Sequence, residues 1–335
     1  MTAALAGLAA AVALAVPATT PVPLTVGAYY YPWYDSTQWA RGTTRIPALG
    51  GYDSRDPETI AAHYTWARQY GVDVFLTSWL GPGSAADVTL RDHLLPSPAR
   101  GRTRIAILYE SILRLGLTDN RIVFGERERE ILLRDFDYLA ETYLRQPAYY
   151  RIGGRPVVVL YVSRIFRGAY AEAIAALREH VGATWGIELY LIGDEVDWDL
   201  GPSRARIRLY DAITGYILYS RTQPQTGFLS LVEGRYRAFR RVAAERRVAF
   251  VPGALPGYDD RGFRPEEGHY VLSEPRLFER GLALAGRYVD PRLGLMTVTS
   301  WNEWHEDTQI EPGTDYGLEL LEKLARFKRA FVARR

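Results

Sequence analysis

From residue 25 onward, short apolar runs alternate with longer segments of helical period, and this alternation constrains the fold more than any other feature of the chain. The runs are five to seven residues long, which is typical of parallel strands that are covered on both faces. Strands are predicted at Thr25–Tyr31, Val72–Ser78, Arg104–Tyr109, Pro156–Val162, Leu189–Gly193, Ala212–Leu218, Val248–Pro252 and Gly294–Ser300.

The first helical segment has the clearest boundary signals. Asp56 is placed to cap it, Pro57 occupies its first turn and Gly71 follows its last turn. Further helices are predicted at Glu126–Arg145, Tyr170–His180, Ser230–Arg246, Glu274–Arg287 and Tyr316–Val332.

Eight strand-then-helix units over residues 25–335 predict an α/β fold of one domain, a single (β/α)8 TIM barrel. A doubly wound sheet is the competing arrangement, and it usually places a glycine-rich phosphate-binding turn after its first strand. Here the first strand runs into a Tyr-Tyr-Pro-Trp-Tyr segment at residues 30–34. The barrel is therefore favoured.

The composition excludes several classes of function. The chain has 41 basic and 39 acidic residues and no basic stripe with interleaved aromatic residues, so no nucleic acid partner is expected. Cysteine is absent, which excludes disulfides, Cys-ligated zinc, iron–sulfur clusters and thiol nucleophiles. His305-Glu306 resembles the start of a zinc-protease helix, but Gln309 stands where the second histidine belongs. We therefore expect no metal and no other cofactor.

The N-terminus resembles a targeting segment. Residues Ala3 to Val16 are an unbroken apolar run, followed by a small-residue Val16-Pro17-Ala18 cleavage pattern. No basic residue precedes the run, so an uncleaved N-terminal anchor is the alternative to a signal peptide. We predict a signal peptide or anchor at 1–18, a linker at 19–24 and the barrel at 25–335, in a secreted or extracytoplasmic monomer with no membrane span in the mature domain.

Aromatic and polar residues cluster at the predicted carboxyl ends of the strands, where barrels keep their chemistry. Four of the eight tryptophans fall there. Flat apolar rings with polar edges suit the face of a pyranose sugar, although some of these rings would merely cap the barrel. The candidate substrate-binding residues are Tyr31, Trp33, Trp79, Glu110, Tyr216, Tyr258, Trp301, Asn302, Trp304 and His305.

Two carboxylates three residues apart follow the eighth strand, Glu303 and Glu306, and both have tryptophan and histidine neighbours. Desolvation and mutual repulsion are expected to raise the pKa of one of them, leaving one acid and one base near neutral pH. Glycosidic cleavage requires this division, so both residues are candidate catalytic groups. Ion pairs with nearby arginines are the alternative explanation.

The segment that contains these acids resembles the signature of glycoside hydrolase family 99, the endo-α-1,2-mannosidases and mannanases with related domains from bacterial polysaccharide loci. It runs from Trp301 through Glu306 and from Thr308 through Pro312. Supporting similarities lie at residues 27–34, 74–79 and 256–261.

The resemblance implies a (β/α)8 fold and a retaining, endo-acting glycosidase without a cofactor. It implies that Glu303 takes the proton from the 2-hydroxyl of the sugar, that an anhydro-sugar forms, and that Glu306 is the general acid that later activates water. Glu110 and Tyr216 are similar to family residues that hold the reacting sugar. Asp307 departs from the family, which usually has glycine there, and is expected to alter the loop shape or the subsite charge.

Three functional hypotheses follow. The first is an endo-acting glycoside hydrolase with an oligosaccharide or polysaccharide substrate, either an α-mannoside-type glycan or mannan or a bacterial exopolysaccharide. The second is a weakly catalytic or non-catalytic glycan-binding or polysaccharide-assembly protein on the same fold. The third is a conventional two-carboxylate glycosidase that uses Glu110 with Glu303.

Overall fold

The computed structural model of the chain describes residues 22–218, 227–264, 270–271 and 274–333. The predicted signal or anchor segment 1–18 and residues 19–21 of the predicted linker lie outside the described residues. Within the described ranges, no helix combines the length and the apolar character needed to cross a bilayer.

Eight parallel strands form the barrel that the sequence predicts. Each strand pairs with its neighbours in chain order, and the first also pairs with the eighth, where Thr25 lies opposite Leu295. The strands are Thr25–Tyr30, Val74–Trp79, Arg104–Tyr109, Arg155–Leu160, Tyr190–Asp194, Ala212–Thr214, a seventh strand in two parts at Ala249–Phe250 and Gly253–Ala254, and Leu295–Val298.

The divided seventh strand closes the barrel. Its first part pairs with the sixth strand and its second part pairs with the eighth. Between the two parts, Pro252 has no N–H to donate, but its carbonyl accepts a hydrogen bond from the Thr297 N–H at 3.0 Å. The strand therefore passes from one neighbour to the other without leaving the sheet.

Six helices of 14 or more residues alternate with the strands within the described ranges. The predicted boundaries of the first are confirmed, because the Asp56 carboxylate accepts the Glu58 and Thr59 N–H groups and Gly71 adopts a φ of 92°. The helices are Pro57–Tyr70, Glu126–Leu139, Tyr170–Trp185, Phe228–Glu245, Pro275–Tyr288 and Glu319–Ala333.

Shorter elements lie in the connections. Short helical segments are Ser36–Trp39, Ala85–Val88, Thr89–Leu94, Pro98–Arg100, Ser111–Leu115, Ala140–Leu144, Ser163–Ile165 and Arg204–Ile207. Small strands are Ile122–Phe124 paired with Phe166–Gly168, Arg151–Ile152 beside the fourth barrel strand, and Tyr258–Asp259 paired with Tyr270–Val271.

The sixth strand is shorter than predicted and ends at Thr214 rather than Leu218. At Gly215 the backbone lies so close to Val196 that an added Cβ would come within 2.7 Å of its side chain. The next N–H, that of Tyr216, leaves the ladder and bonds the Asp194 carboxylate at 2.9 Å. The close approach and the side-chain acceptor end the strand and direct Tyr216 toward the carboxyl end of the barrel.

Substitution of Gly193, in the fifth strand, tests how tightly this strand packs against Tyr210. An added Cβ would lie 2.5 Å from the buried ring of Tyr210, so we expect Gly193→Ala to destabilise the fold by about 1–3 kcal/mol. Gly182→Ala is the matched control, because no atom lies within 4 Å of its added Cβ in an exposed helix position, and we expect it to stabilise by about 0.5–1 kcal/mol. Urea unfolding of both variants measures the difference, and equal midpoints would contradict the prediction.

Candidate active site

Strands one, six and eight bring predicted site residues together through a short chain of hydroxyl groups. The Tyr31 hydroxyl donates to the Tyr216 hydroxyl at 2.6 Å, and the Tyr216 hydroxyl donates to Oε2 of Glu306 at 3.2 Å. All three residues follow the carboxyl ends of their strands. The two tyrosines therefore fix one oxygen of the Glu306 carboxyl group.

Glu303 is 5 % exposed, and one of its carboxylate oxygens accepts two hydrogen bonds. Its Oε1 accepts hydrogen bonds from the Tyr34 O–H at 3.0 Å and from the backbone N–H of His305 at 3.3 Å. Its backbone N–H donates to the Ser300 Oγ at 2.8 Å. These contacts fix one carboxylate oxygen of Glu303 beside the Tyr34 hydroxyl.

Glu306 is the second carboxyl group of the cluster. Burial, and next the neighbouring Glu303, raise the pKa of Glu306 to about 8. The guanidinium of Arg264, with Nη1 4.0 Å from Oε1, opposes this shift only in part. Glu306 is therefore mostly protonated at neutral pH, while its side chain remains 19 % exposed.

Glu110 is the third carboxyl group of the cluster, at the end of the third strand. Burial raises the pKa of Glu110 to about 7, and the charges of Glu303 and Asp194 add to the shift. The Ser78 hydroxyl donates to its Oε1 at 2.6 Å and opposes the shift. The electrostatic influence of Glu303 on both Glu110 and Glu306 places the three groups in one site.

Asn302 and His305 hold the backbone around this cluster rather than facing open space. The Asn302 amide accepts the Tyr31 N–H at 2.7 Å and donates to the Tyr31 carbonyl at 2.9 Å, which joins the first strand to the loop after the eighth. His305 bonds the Gln38 carbonyl through Nε2 at 3.1 Å, and its ring stacks on that of Tyr34. Both side chains are buried, so their structural role is to position the loop.

Three tryptophans that were predicted to form sugar platforms are instead completely buried. Trp79, Trp301 and Trp304 are 0 %, 0 % and 1 % exposed. Trp79 donates its indole N–H to Asp87, and Trp304 donates its own to Glu311, both at 2.8 Å. In this structure the three rings are therefore packed in the hydrophobic core.

The two remaining aromatic candidates differ in exposure. Tyr258 is also buried and donates its hydroxyl to Asp260 at 2.8 Å. Trp33 is partly exposed and packs on Tyr31, with ring centroids 4.7 Å apart. Trp33 is therefore the tryptophan of this predicted set that offers an aromatic surface at the rim.

Three residues of the site are not among the candidates chosen from the sequence. Tyr34 belongs to the aromatic segment after the first strand, and only its contact with Glu303 distinguishes it from its neighbours. Asp194 accepts the N–H groups of Val162 and Tyr216 and pairs with Arg164 at 2.6 Å. Arg264 lies in an irregular loop with no sequence signal. Only the tertiary structure assigns Arg264 to the site, by placing its Nη1 4.0 Å from Oε1 of Glu306.

Asp307, which departs from the family pattern, adopts a φ of 52°. Glycine adopts this left-handed conformation most easily, and Asp tolerates it. The Asp307 carboxylate accepts from Gln309 at 2.9 Å and pairs with Arg45 at 3.1 Å. The third acid of the loop is therefore bound to these two side chains, and burial raises its pKa to about 6.

The cluster can supply an acid and a base together. Glu306 holds a proton near neutral pH, and Glu303 lies beside it among donors. No group of three or more His, Asp or Glu side chains in the described ranges is arranged to hold a metal ion. The chemistry that this arrangement supports is proton transfer to and from a bound molecule.

Comparisons with known proteins place the chain in context. Residues 35–322 match the model of a family described as Glycosyl hydrolase family 99. The chain is similar to the glycoprotein endo-alpha-1,2-mannosidase of Mus musculus, with 26 % identity over 284 residues covering 81 % of this chain and 57 % of the relative. A glycoprotein endo-alpha-1,2-mannosidase-like protein of Danio rerio is 28 % identical over 282 residues, covering 79 % and 58 %. The chain thus spans less than two thirds of the length of these relatives.

Solved structures share the fold. The GH99 endo-alpha-mannosidase from Bacteroides thetaiotaomicron superposes with a TM-score of 0.69 at 20 % identity, covering 92 % of this chain and 98 % of that one. A protein described as a glycoside hydrolase-like protein superposes with a TM-score of 0.77 at 18 % identity, covering 93 % and 96 %. At this identity the similarity supports the barrel fold alone.

The buried Asp307 predicts a pH dependence of stability. Because the pKa of Asp307 is raised from 3.8 to about 6, the folded state binds its proton more tightly than the unfolded state. The free energy of unfolding of wild type, relative to that of Asp307→Asn, should therefore decrease as pH rises from about 4 to 6. Asp53→Asn is the control with opposite sign, because the hydrogen bond from Arg55 lowers the pKa of Asp53, so that its contribution to stability is lost only as pH falls below about 4. Urea unfolding from about pH 2.5 to 7 measures both differences, and parallel slopes would refute the assignment.

Proposed function

The chain belongs to glycosyl hydrolase family 99, and from this premise we propose that it is a retaining, endo-acting glycoside hydrolase of α-mannoside-type linkages. Its substrate is a mannan, another glycan or a bacterial exopolysaccharide. The names of the relatives, endo-alpha-mannosidases, support this class. In this proposal the apolar segment 1–18 directs the enzyme out of the cytoplasm, and the barrel acts as a monomer without a cofactor.

The observation that carries the proposal is the raised pKa of Glu306, about 8, beside a Glu303 held by donors. Glu306 donates its proton to the glycosidic oxygen as the bond from that oxygen to the anomeric carbon breaks. Glu303 takes the proton of the 2-hydroxyl, whose oxygen bonds the anomeric carbon from the opposite face. The product of this step is an anhydro-sugar, with the leaving glycan released as an alcohol.

The second step restores both carboxyl groups. Water attacks the anomeric carbon and opens the anhydro-sugar, and Glu306, now ionised, takes the proton of that water. Glu303 returns its proton to the 2-oxygen. Two inversions at one carbon retain its configuration.

Glu110 is poorly suited to the alternative role of a covalent nucleophile. A nucleophilic carboxylate must be ionised, whereas burial raises the pKa of Glu110 to about 7 and leaves much of it protonated at neutral pH. A protonated or hydrogen-bonded Glu110 instead suits contact with a sugar hydroxyl. This supports participation of the 2-hydroxyl over a glycosyl-enzyme.

Substitution of the two acids tests the proposal. We expect Glu303→Gln and Glu306→Gln each to lower kcat by about 10²–10⁴-fold, because each removes a proton transfer, while glycan binding is kept. Glu245→Gln is the control, since this exposed residue pairs with Arg204 outside the site. Oligosaccharide release from a panel of α-mannans and bacterial exopolysaccharides measures turnover. Unchanged turnover in both glutamine variants would defeat the assignment, and binding without turnover in wild type would favour a glycan-binding protein.

The pH dependence of kcat/KM tests the role of Glu306 as the acid. Because the pKa of Glu306 in the free enzyme is raised to about 8, the proton is present below this value, and kcat/KM should fall about tenfold per pH unit above it. With a substrate whose leaving group needs no protonation, this alkaline limb should disappear in Glu306→Gln. A limb that persists there would assign it to another group.

A further inference from the structure

The two oxygens of the Glu303 carboxyl group are treated differently by the protein. Oε1 accepts hydrogen bonds from the Tyr34 O–H and from the backbone N–H of His305. The ring Nδ1 of His305 lies 3.4 Å from the same oxygen. Oε2 has no hydrogen-bond donor among the described residues. Within the part of the chain that the structure describes, one oxygen is therefore bound to the protein and the other is available to accept a proton.

Tyr34 is itself held on every side. Its hydroxyl accepts the backbone N–H of Trp304 at 2.8 Å, and its own backbone N–H donates to the Ser54 Oγ at 2.9 Å. Its ring stacks on Trp39 at 4.3 Å between centroids and on His305 at 5.3 Å. The position of the hydroxyl is therefore determined by the first and eighth loops together.

The direction of the Tyr34 proton follows from this geometry. Burial raises the pKa of Tyr34 well above its usual value, so the phenol stays protonated. A phenol has one proton, and its Glu303 acceptor at 3.0 Å is closer than the His305 Nδ1 at 3.4 Å. The His305 Nε2 must carry a hydrogen, because its partner is the Gln38 carbonyl, and this orients the ring that supports Tyr34.

We propose that Tyr34 is the positioning residue of the base: its hydroxyl holds Oε1 of Glu303, so that Oε2 is the atom that takes the proton of the sugar. This proposal rests on the proposed function. Tyr34 does not touch the substrate. Its effect falls on the proton-transfer step, whereas binding of the sugar in the ground state does not depend on it.

Tyr34→Phe tests the proposal, because it removes one hydroxyl and keeps the stacked ring. We expect kcat to fall about 10–100-fold with KM within about threefold, and the loss to persist with an activated leaving group. Tyr64→Phe is the matched control, since it removes a buried hydroxyl that donates to the Leu94 carbonyl in another part of the barrel, and we expect wild-type kcat. A kcat for Tyr34→Phe within threefold of wild type would overturn the proposal.

Two further measurements separate this proposal from its premise and from a loss of fold. Incorporation of 3-fluorotyrosine at position 34 keeps the hydrogen bonds of the hydroxyl to Glu303 and Trp304. A kcat near that of wild type then supports a role for the hydroxyl. A loss of kcat equal to that of Tyr34→Phe refutes it. Crystal structures of wild type and Tyr34→Phe need no turnover. A Glu303 carboxylate that rotates in the variant supports the positioning role of Tyr34. If wild type also cleaves no glycan in the panel, that second result overturns the proposed function but not the positioning role. An unmoved carboxylate overturns the positioning role.

Discussion

Crowding of three carboxyl groups at one end of a closed barrel is the constraint around which the site is built. Burial favours the neutral forms of Glu110 and Glu306, and the charge of Glu303 raises the pKa of both. Glu303 accepts hydrogen bonds from Tyr34 and from the His305 backbone, Glu306 accepts from Tyr216 with Arg264 farther away, and Glu110 accepts from Ser78. Glu306 therefore keeps its proton to a higher pH than an isolated carboxyl group does, and this supplies the acid of the site.

The polar groups behind the site explain how this arrangement stays in place. Glu311 is buried and accepts from His63, Tyr52 and Trp304, which ties the first helix to the loop after the eighth strand. Buried polar groups that are fully bonded give a rigid support, since breaking one bond leaves an unpaired group in a dry interior. The rigidity that positions the acid and the base is therefore supplied by residues that do not touch the cleft.

Agreement between sequence and structure is best where the signal is local. The strand and helix alternation predicts the barrel, and the cap at Asp56 predicts the first helix, because both depend on neighbours along the chain. The exposure of Trp79, Trp301 and Trp304 could not be predicted in this way. A tryptophan at the end of a strand faces a ligand or a covering loop, and the paths of the loops depend on residues far apart in sequence.

The sequence by itself determined the fold class and the position of Glu303 and Glu306 after the eighth strand, because periodicity and motif spacing are properties of the chain. Tertiary structure alone decided which acid keeps its proton, which rings are buried, and that Asp307 is bound to Arg45. These outcomes depend on burial and on charges brought within a few ångströms by closure of the barrel. Proton affinity in such a site is a property of the surroundings, and Tyr34, Asp194 and Arg264 become part of those surroundings only when the strands meet.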